Sequence, residues 1–145
     1  MYLYLLLGFG IGAILFFVRT KGVRQIGISA FVLLQWLLTF HAYFHTSGTS
    51  GGYFTFDALG IVFLVALSIV SVAVFYHSHI FFETRQHDGR LRGIYYGSLT
   101  VLIASLSAAY LSNHPAVTWI FIELTTLSSS ALIYHNRNER TLEAT

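Results

Sequence analysis

Val117-Thr-Trp-Ile-Phe-Ile-Glu-Leu-Thr-Thr-Leu-Ser-Ser-Ser-Ala-Leu-Ile-Tyr134 is long and apolar enough to cross a bilayer, and it carries one carboxylate, Glu123. A span needs about 20 mostly apolar residues, within a range of roughly 17–25. A charged side chain at the bilayer centre costs about 2.5–3.5 kcal/mol on insertion scales. Acids kept at membrane depth despite that cost serve by default as proton or ion sites. Glu123 therefore reads as a group on a proton path. The rival reading is a protonated Glu123 that only hydrogen-bonds a neighbouring helix.

The rest of the chain has the composition of a membrane protein. Of its 145 residues 55% are apolar, 17% aromatic and only 10% charged, against about 25% charged in soluble domains. That is too little polar surface to face water all round. The expectation is an all-α, polytopic membrane protein of a single domain, with the lipid bilayer as its first partner. The formal net charge is +2. Its basic residues form short clusters without interleaved aromatics, which gives no support for nucleic-acid binding. The absence of cysteine excludes disulfides and thiolate ligands for iron–sulfur clusters. In a redox assembly such a chain is not the part that carries electrons, and no cofactor is expected.

Five apolar stretches emerge: Leu3–Val18, Ile26–Phe44, Phe54–Phe82, Ile94–Leu111 and Val117–Tyr134. The first is short for a span, and the third is long enough to tilt or project into water. Met1-Tyr-Leu-Tyr-Leu-Leu-Leu7 has no basic residue before its apolar run, and Arg19 and Lys21 follow it. A secretory signal has the reverse polarity, so the first stretch reads as a retained span. Arg19, Lys21 and Arg24 lie around the first connector, Arg85, Arg90 and Arg92 around the third, and Arg137 and Arg140 in the tail. The second connector, Thr46-Ser-Gly-Thr-Ser-Gly-Gly52, and the fourth, Ser112-Asn-His-Pro115, have no Lys or Arg. All eight basic residues thus share one side of a five-span arrangement. The positive-inside rule makes that side cytoplasmic, with the N-terminus outside, the C-terminus inside, and the cytoplasmic (inner) membrane as location.

Small residues mark the fourth span: Ser98, Ser105, Ala109 and Ser112, with Gly97, Ala104 and Ala108 alongside. Spacings near three, four and seven place them on one helical side, where backbones can approach closely. They read as helix–helix contacts. Around Glu123, Thr126 at i+3 and Ser130 at i+7 complete a hydroxyl-lined stripe. Hydroxyls donate and accept, and with water they can pass a proton along a chain.

Three further residues are auxiliary candidates. Asp57 opens the third span, where free backbone N–H groups and the helix dipole favour an acid; an N-terminal cap is the first reading and conduction the second. His41 and His45 are spaced i, i+4 near the outer end of the second span, which suits two ligands on one face. A metal or haem site needs a converging ligand set that the sequence does not display, so interfacial histidines with an auxiliary relay role are expected. No phosphate-binding glycine loop, nucleophile elbow or zincin helix is present.

Two segments carry a family resemblance. One is Asp57-Ala-Leu-Gly-Ile-Val-Phe-Leu64 running on to Val74-Phe-Tyr-His-Ser-His-Ile-Phe81; the other is Asn113-His-Pro-Ala-Val-Thr-Trp-Ile-Phe-Ile-Glu-Leu-Thr-Thr-Leu-Ser-Ser-Ser-Ala-Leu-Ile-Tyr134, followed by Arg140-Thr-Leu-Glu-Ala-Thr145. In order and topology the chain resembles the N-terminal part of the antiporter-like, proton-conducting subunits of respiratory complex I and membrane-bound hydrogenases. The Glu-Leu-Thr-Thr-Leu run and the Leu-Glu-Ala-Thr ending look closest to the hydrogenase-4 and formate-hydrogenlyase branch. The resemblance implies that Glu123 stands where the family's fifth-helix acid belongs to the proton-translocation machinery. It also implies further helices, some discontinuous, with lysines that pair with this acid, and other membrane subunits of a redox complex as partners. The family runs on where this chain ends, so the expectation is a fragment, a truncation, or one piece of a split subunit completed by a second polypeptide. A structural or assembly subunit is one alternative, and a haem-binding, quinone-linked membrane subunit is another.

Overall fold

A computed structural model describes residues 1–18, 20–45, 49–50, 52–84 and 89–134. They form five helices, α1 (Tyr2–Phe17), α2 (Lys21–Phe44), α3 (Ala58–Thr84), α4 (Gly89–Leu111) and α5 (Pro115–Tyr134), and two short strands, β1 (Thr49–Ser50) and β2 (Phe54–Thr55). Four of the helices, α2 to α5, are long and apolar enough to cross a membrane. The 16 residues of α1 rise only about 24 Å, short of a hydrocarbon core of about 30 Å. The 27 residues of α3 rise about 40 Å, the length expected of a helix that tilts or projects.

Helix boundaries follow local chemistry. Pro115 takes the first position of α5, where its missing N–H is no loss. His114 precedes it, its Nδ1 accepting from the Ala116 N–H at 3.3 Å and its carbonyl from the Thr118 N–H at 3.0 Å. The third helix begins at Ala58, four residues later than the sequence suggests, because Phe54 and Thr55 pair with the strand before them. Gly52, at φ 79°, supplies the left-handed turn of that hairpin. Phe54 also bridges to Ser112, and the Asn113 N–H donates to the Tyr53 carbonyl at 2.8 Å. These bonds tie the α2–α3 connector to the α4–α5 connector.

Neighbouring helices run antiparallel. Gly8 lies by Ala104, Gly12 by Val101 and Gly97, and Gly93 by the Leu15 carbonyl, so α1 descends along α4. Gln35 meets Ser68 and Gln25 meets His79, so α2 and α3 do the same. The end of α1, the start of α2, the end of α3 and the start of α4 therefore share one end of the bundle. That end holds Lys21, Arg24 and Arg92, with Arg90 in the first turn of α4; Arg19, Arg85, Arg137 and Arg140 lie outside the described residues.

The small-residue helix α4 is the centre of the assembly and packs on α1, α2, α3 and α5. Within the spans, 61% of α4 is buried against 11% of α5. Glycine explains the closeness: a Cβ at Gly93 would lie 2.9 Å from the Leu15 carbonyl oxygen and 3.2 Å from that of Val18. Apolar side chains form two clusters. Phe54, Ile61, Leu64, Leu38 and Leu111 fill the end opposite the basic residues, and Phe31, Phe75, Leu99 and Ile103 fill the basic half.

Candidate functional site

Glu123 lies on the outward face of α5. The inward positions Val117, Phe121, Leu124, Ser128 and Leu132 are buried or half-buried, while Trp119, Glu123, Thr126, Ser130 and Ile133 are exposed. Spacings of four, three, four and three align these exposed residues in one stripe. Among the described residues the only helix that α5 packs on is α4, and it takes the opposite face. The three residues of the expected proton path are thus together, and no other helix among the described residues covers them.

The hydroxyls of α5 turn back on their own helix. Thr126 donates to the Glu123 carbonyl at 2.8 Å, Thr125 to Ile122 at 2.7 Å, Ser128 to Leu124 at 2.8 Å and Ser129 to Thr126 at 2.9 Å. This back-bonding satisfies hydroxyls in an apolar medium. It also means that Thr126 gives its proton to the backbone and offers Glu123 only lone pairs in this arrangement.

Asp57 occupies the N-cap position of α3, and its carbonyl accepts from the Ile61 N–H at 3.0 Å. Its carboxylate lies over the first turn, where a Cβ on Gly60 would come within 2.6 Å of Oδ1. His41 and His45 stack with ring centroids 4.4 Å apart and planes 7° from parallel. His45 Nδ1 lies 3.2 Å from the His41 carbonyl oxygen, to which it can donate. In stacked rings the nitrogen lone pairs run parallel, so these two imidazoles do not converge on one ion as they stand. No group of three His, Asp or Glu side chains that could hold a metal occurs among the described residues.

Sequence reasoning missed the most connected polar site among the described residues. Tyr4, Gln35, Thr39, Ser68 and Ser107 are all buried and bring four helices together between the two apolar clusters. The Tyr4 hydroxyl donates to Gln35 Oε1. The Gln35 amide N–H groups donate to Ser107 Oγ at 3.1 Å and Ser68 Oγ at 3.3 Å. Thr39 Oγ1 lies 2.7 Å from Ser68 Oγ, while Ser68 and Ser107 donate to the carbonyls of Leu64 at 2.8 Å and Ile103 at 3.0 Å. Every polar atom of the Gln35 side chain is satisfied. One signal was available: a lone amide inside the apolar run Ile26–Phe44, since polar side chains in spans commonly bond across helices.

No protein family, no characterised protein and no solved structure gives a match to this chain.

Proposed function

We propose that this chain supplies the N-terminal helices of a proton-translocating, antiporter-like membrane subunit in a hydrogenase- or NADH dehydrogenase-type complex. Glu123 is its acid on a proton path that further helices complete. The observation that carries this reading is the outward stripe of Glu123, Thr126 and Ser130 on α5. A carboxylate at membrane depth requires a cation, a hydrogen-bond donor or a proton. This chain packs no helix against that stripe among the described residues, so a basic or polar surface outside them, from further helices or from a partner polypeptide, meets the need. The stripe also agrees with the family resemblance, in which lysines of later helices pair with this acid. In this reading α1 is the fifth crossing, the N-terminus is outside and the basic end of the bundle is cytoplasmic.

The test is Glu123→Gln in the assembled complex, read as redox-driven proton uptake in vesicles beside the amount of complex formed. The amide keeps size and hydrogen bonding, so assembly is expected to stay near normal while coupled proton transport falls sharply. Glu123→Asp is expected to retain part of it. Normal pumping at normal assembly would assign Glu123 to helix association instead. That second reading, a structural subunit, draws on the Gln35 layer, which shows the chain tying helices together with amide and hydroxyl groups alone.

A further inference from the structure

The first turns of α2 and α4 and the last turns of α3 line an open cavity of about 390 Å³ at the basic end of the bundle. Among the described residues, Lys21, Arg24 and Arg92 line it against one carboxylate, Glu83. Glu83 is itself largely exposed and lies 3.8 Å from His79 Nε2. The described lining therefore carries a surplus of positive charge.

Arg24 is 7% exposed. Its Nη1 is buried without a hydrogen-bond partner among the described residues. The guanidinium carbon stands 5.7 Å from the centre of the Tyr96 ring, and that of Arg92 stands 5.7 Å from the centre of Phe82. Stacking on aromatic rings fixes where these cations sit but supplies no acceptor. A buried guanidinium N–H left without an acceptor is costly, and an oxyanion in the cavity removes that cost.

We propose that this cavity binds a phosphate group, and that its source is an anionic phospholipid of the leaflet at the basic end. Arginine forks match phosphate oxygens in pairs, and basic pockets between transmembrane helices suit such headgroups. The lipid is favoured over free phosphate by what surrounds the cations. Ile28 lines the cavity itself, and Val23, Ile26 and Ile80 on the adjoining turns of α2 and α3 are exposed. Those side chains offer acyl chains a surface that an inorganic ion leaves unused. The proposal is independent of any role for Glu123.

The full chain in neutral detergent is titrated with phosphatidylglycerol, with phosphatidylcholine of the same acyl chains, and with inorganic phosphate. Native mass spectrometry reads retained lipid, and thermal melting reads stabilisation. Phosphatidylglycerol is expected to bind about tenfold more tightly than phosphatidylcholine, the discrimination expected of charge-assisted bonds, while inorganic phosphate leaves the melting curve in place. Arg24→Gln should abolish the preference. Should that variant not fold, Lys21→Gln and Glu83→Gln carry the test at exposed positions: the first weakens and the second tightens phosphatidylglycerol binding. Equal binding of the two lipids, stabilisation by inorganic phosphate matching that of the lipid, or indifference to both exposed substitutions would overturn the proposal.

Discussion

The Tyr4 hydroxyl donates to the side-chain oxygen of Gln35 at the buried centre of the bundle, joining α1 to α2. The same amide reaches α3 through Ser68 and α4 through Ser107. Apolar residues lie on either side along each helix: Leu38 and Phe31 around Gln35, Leu64 and Phe75 around Ser68, Ala108 and Ile103 around Ser107. Lipid is as apolar as leucine, so leucine contacts alone set helix register weakly in a membrane. A saturated amide that fits only one register sets it strongly.

Tyr4→Phe should destabilise the bundle by about 1 kcal/mol, within the range measured for hydrogen bonds between transmembrane helices. Gln35→Leu removes the hub but leaves Ser68 and Ser107 bonded to their own carbonyls, so its cost should stay at about 1–2 kcal/mol. The two changes should be non-additive, the double variant losing less than the sum, because they share one bond. Reversible unfolding in mixed detergent measures all three variants, and strict additivity would show that the bond contributes nothing.

The glycines of α4 make a separate prediction. Gly93→Ala would push a methyl group against three carbonyls at the C-terminal end of α1, those of Leu15, Phe16 and the capping Val18, the nearest 2.9 Å away. Backbone cannot rotate aside as a side chain can, so α1 must shift, at a cost of about 1–3 kcal/mol. Gly10→Ala is the control, since a Cβ there meets nothing within 4 Å; it should be neutral or slightly stabilising through helix propensity. Similar melting temperatures for both variants would contradict the α1–α4 contact.

Helix number and approximate limits were legible because length and hydropathy decide them: the reading Val117–Tyr134 became Pro115–Tyr134, and Ile94–Leu111 became Gly89–Leu111. The small residues of the fourth span announced a contact helix, and α4 is the one that touches all the others. Facing directions were not legible. Helices apolar all round carry no stripe to orient them, so the meeting of Gln35 with Tyr4, Ser68 and Ser107 depended on four rotations that no local pattern sets. Glu123, Thr126 and Ser130 share a stripe by spacing alone, but only the packing of α4 on the opposite side shows that the stripe points away from the bundle.

Orientation can be tested with the natural absence of cysteine as a clean background. Cysteine at Ser50, in the hairpin opposite the basic end, should react with an impermeant thiol reagent added outside the cell. Cysteine at Asn138, which lies outside the described residues, should react only after the membrane is opened. The reverse pattern would invert the orientation drawn from the positive-inside rule.

The exposure of Glu123 separates the isolated chain from the proposed complex. Alone in a bilayer or detergent, the side chain contributes no packing to another helix of this chain among the described residues. Glu123→Leu should then leave the unfolding free energy of the isolated bundle within about 0.5 kcal/mol, as for other exposed substitutions. It should also ease insertion of α5 by removing a polar group that costs about 2.5–3.5 kcal/mol at membrane depth. In the proposed complex the sign reverses: a partner cation or donor that meets Glu123 would be left facing leucine, and an uncompensated charge in low dielectric is strongly unfavourable. Recovery of assembled complex should therefore fall for Glu123→Leu while staying near normal for Glu123→Gln, which keeps a hydrogen-bond acceptor in place. Two measurements decide it, unfolding of the purified chain and co-purification of its partners from native membranes. A leucine variant that assembles as well as the wild type would show that the Glu123 stripe faces lipid in the complex too, and that no partner covers it.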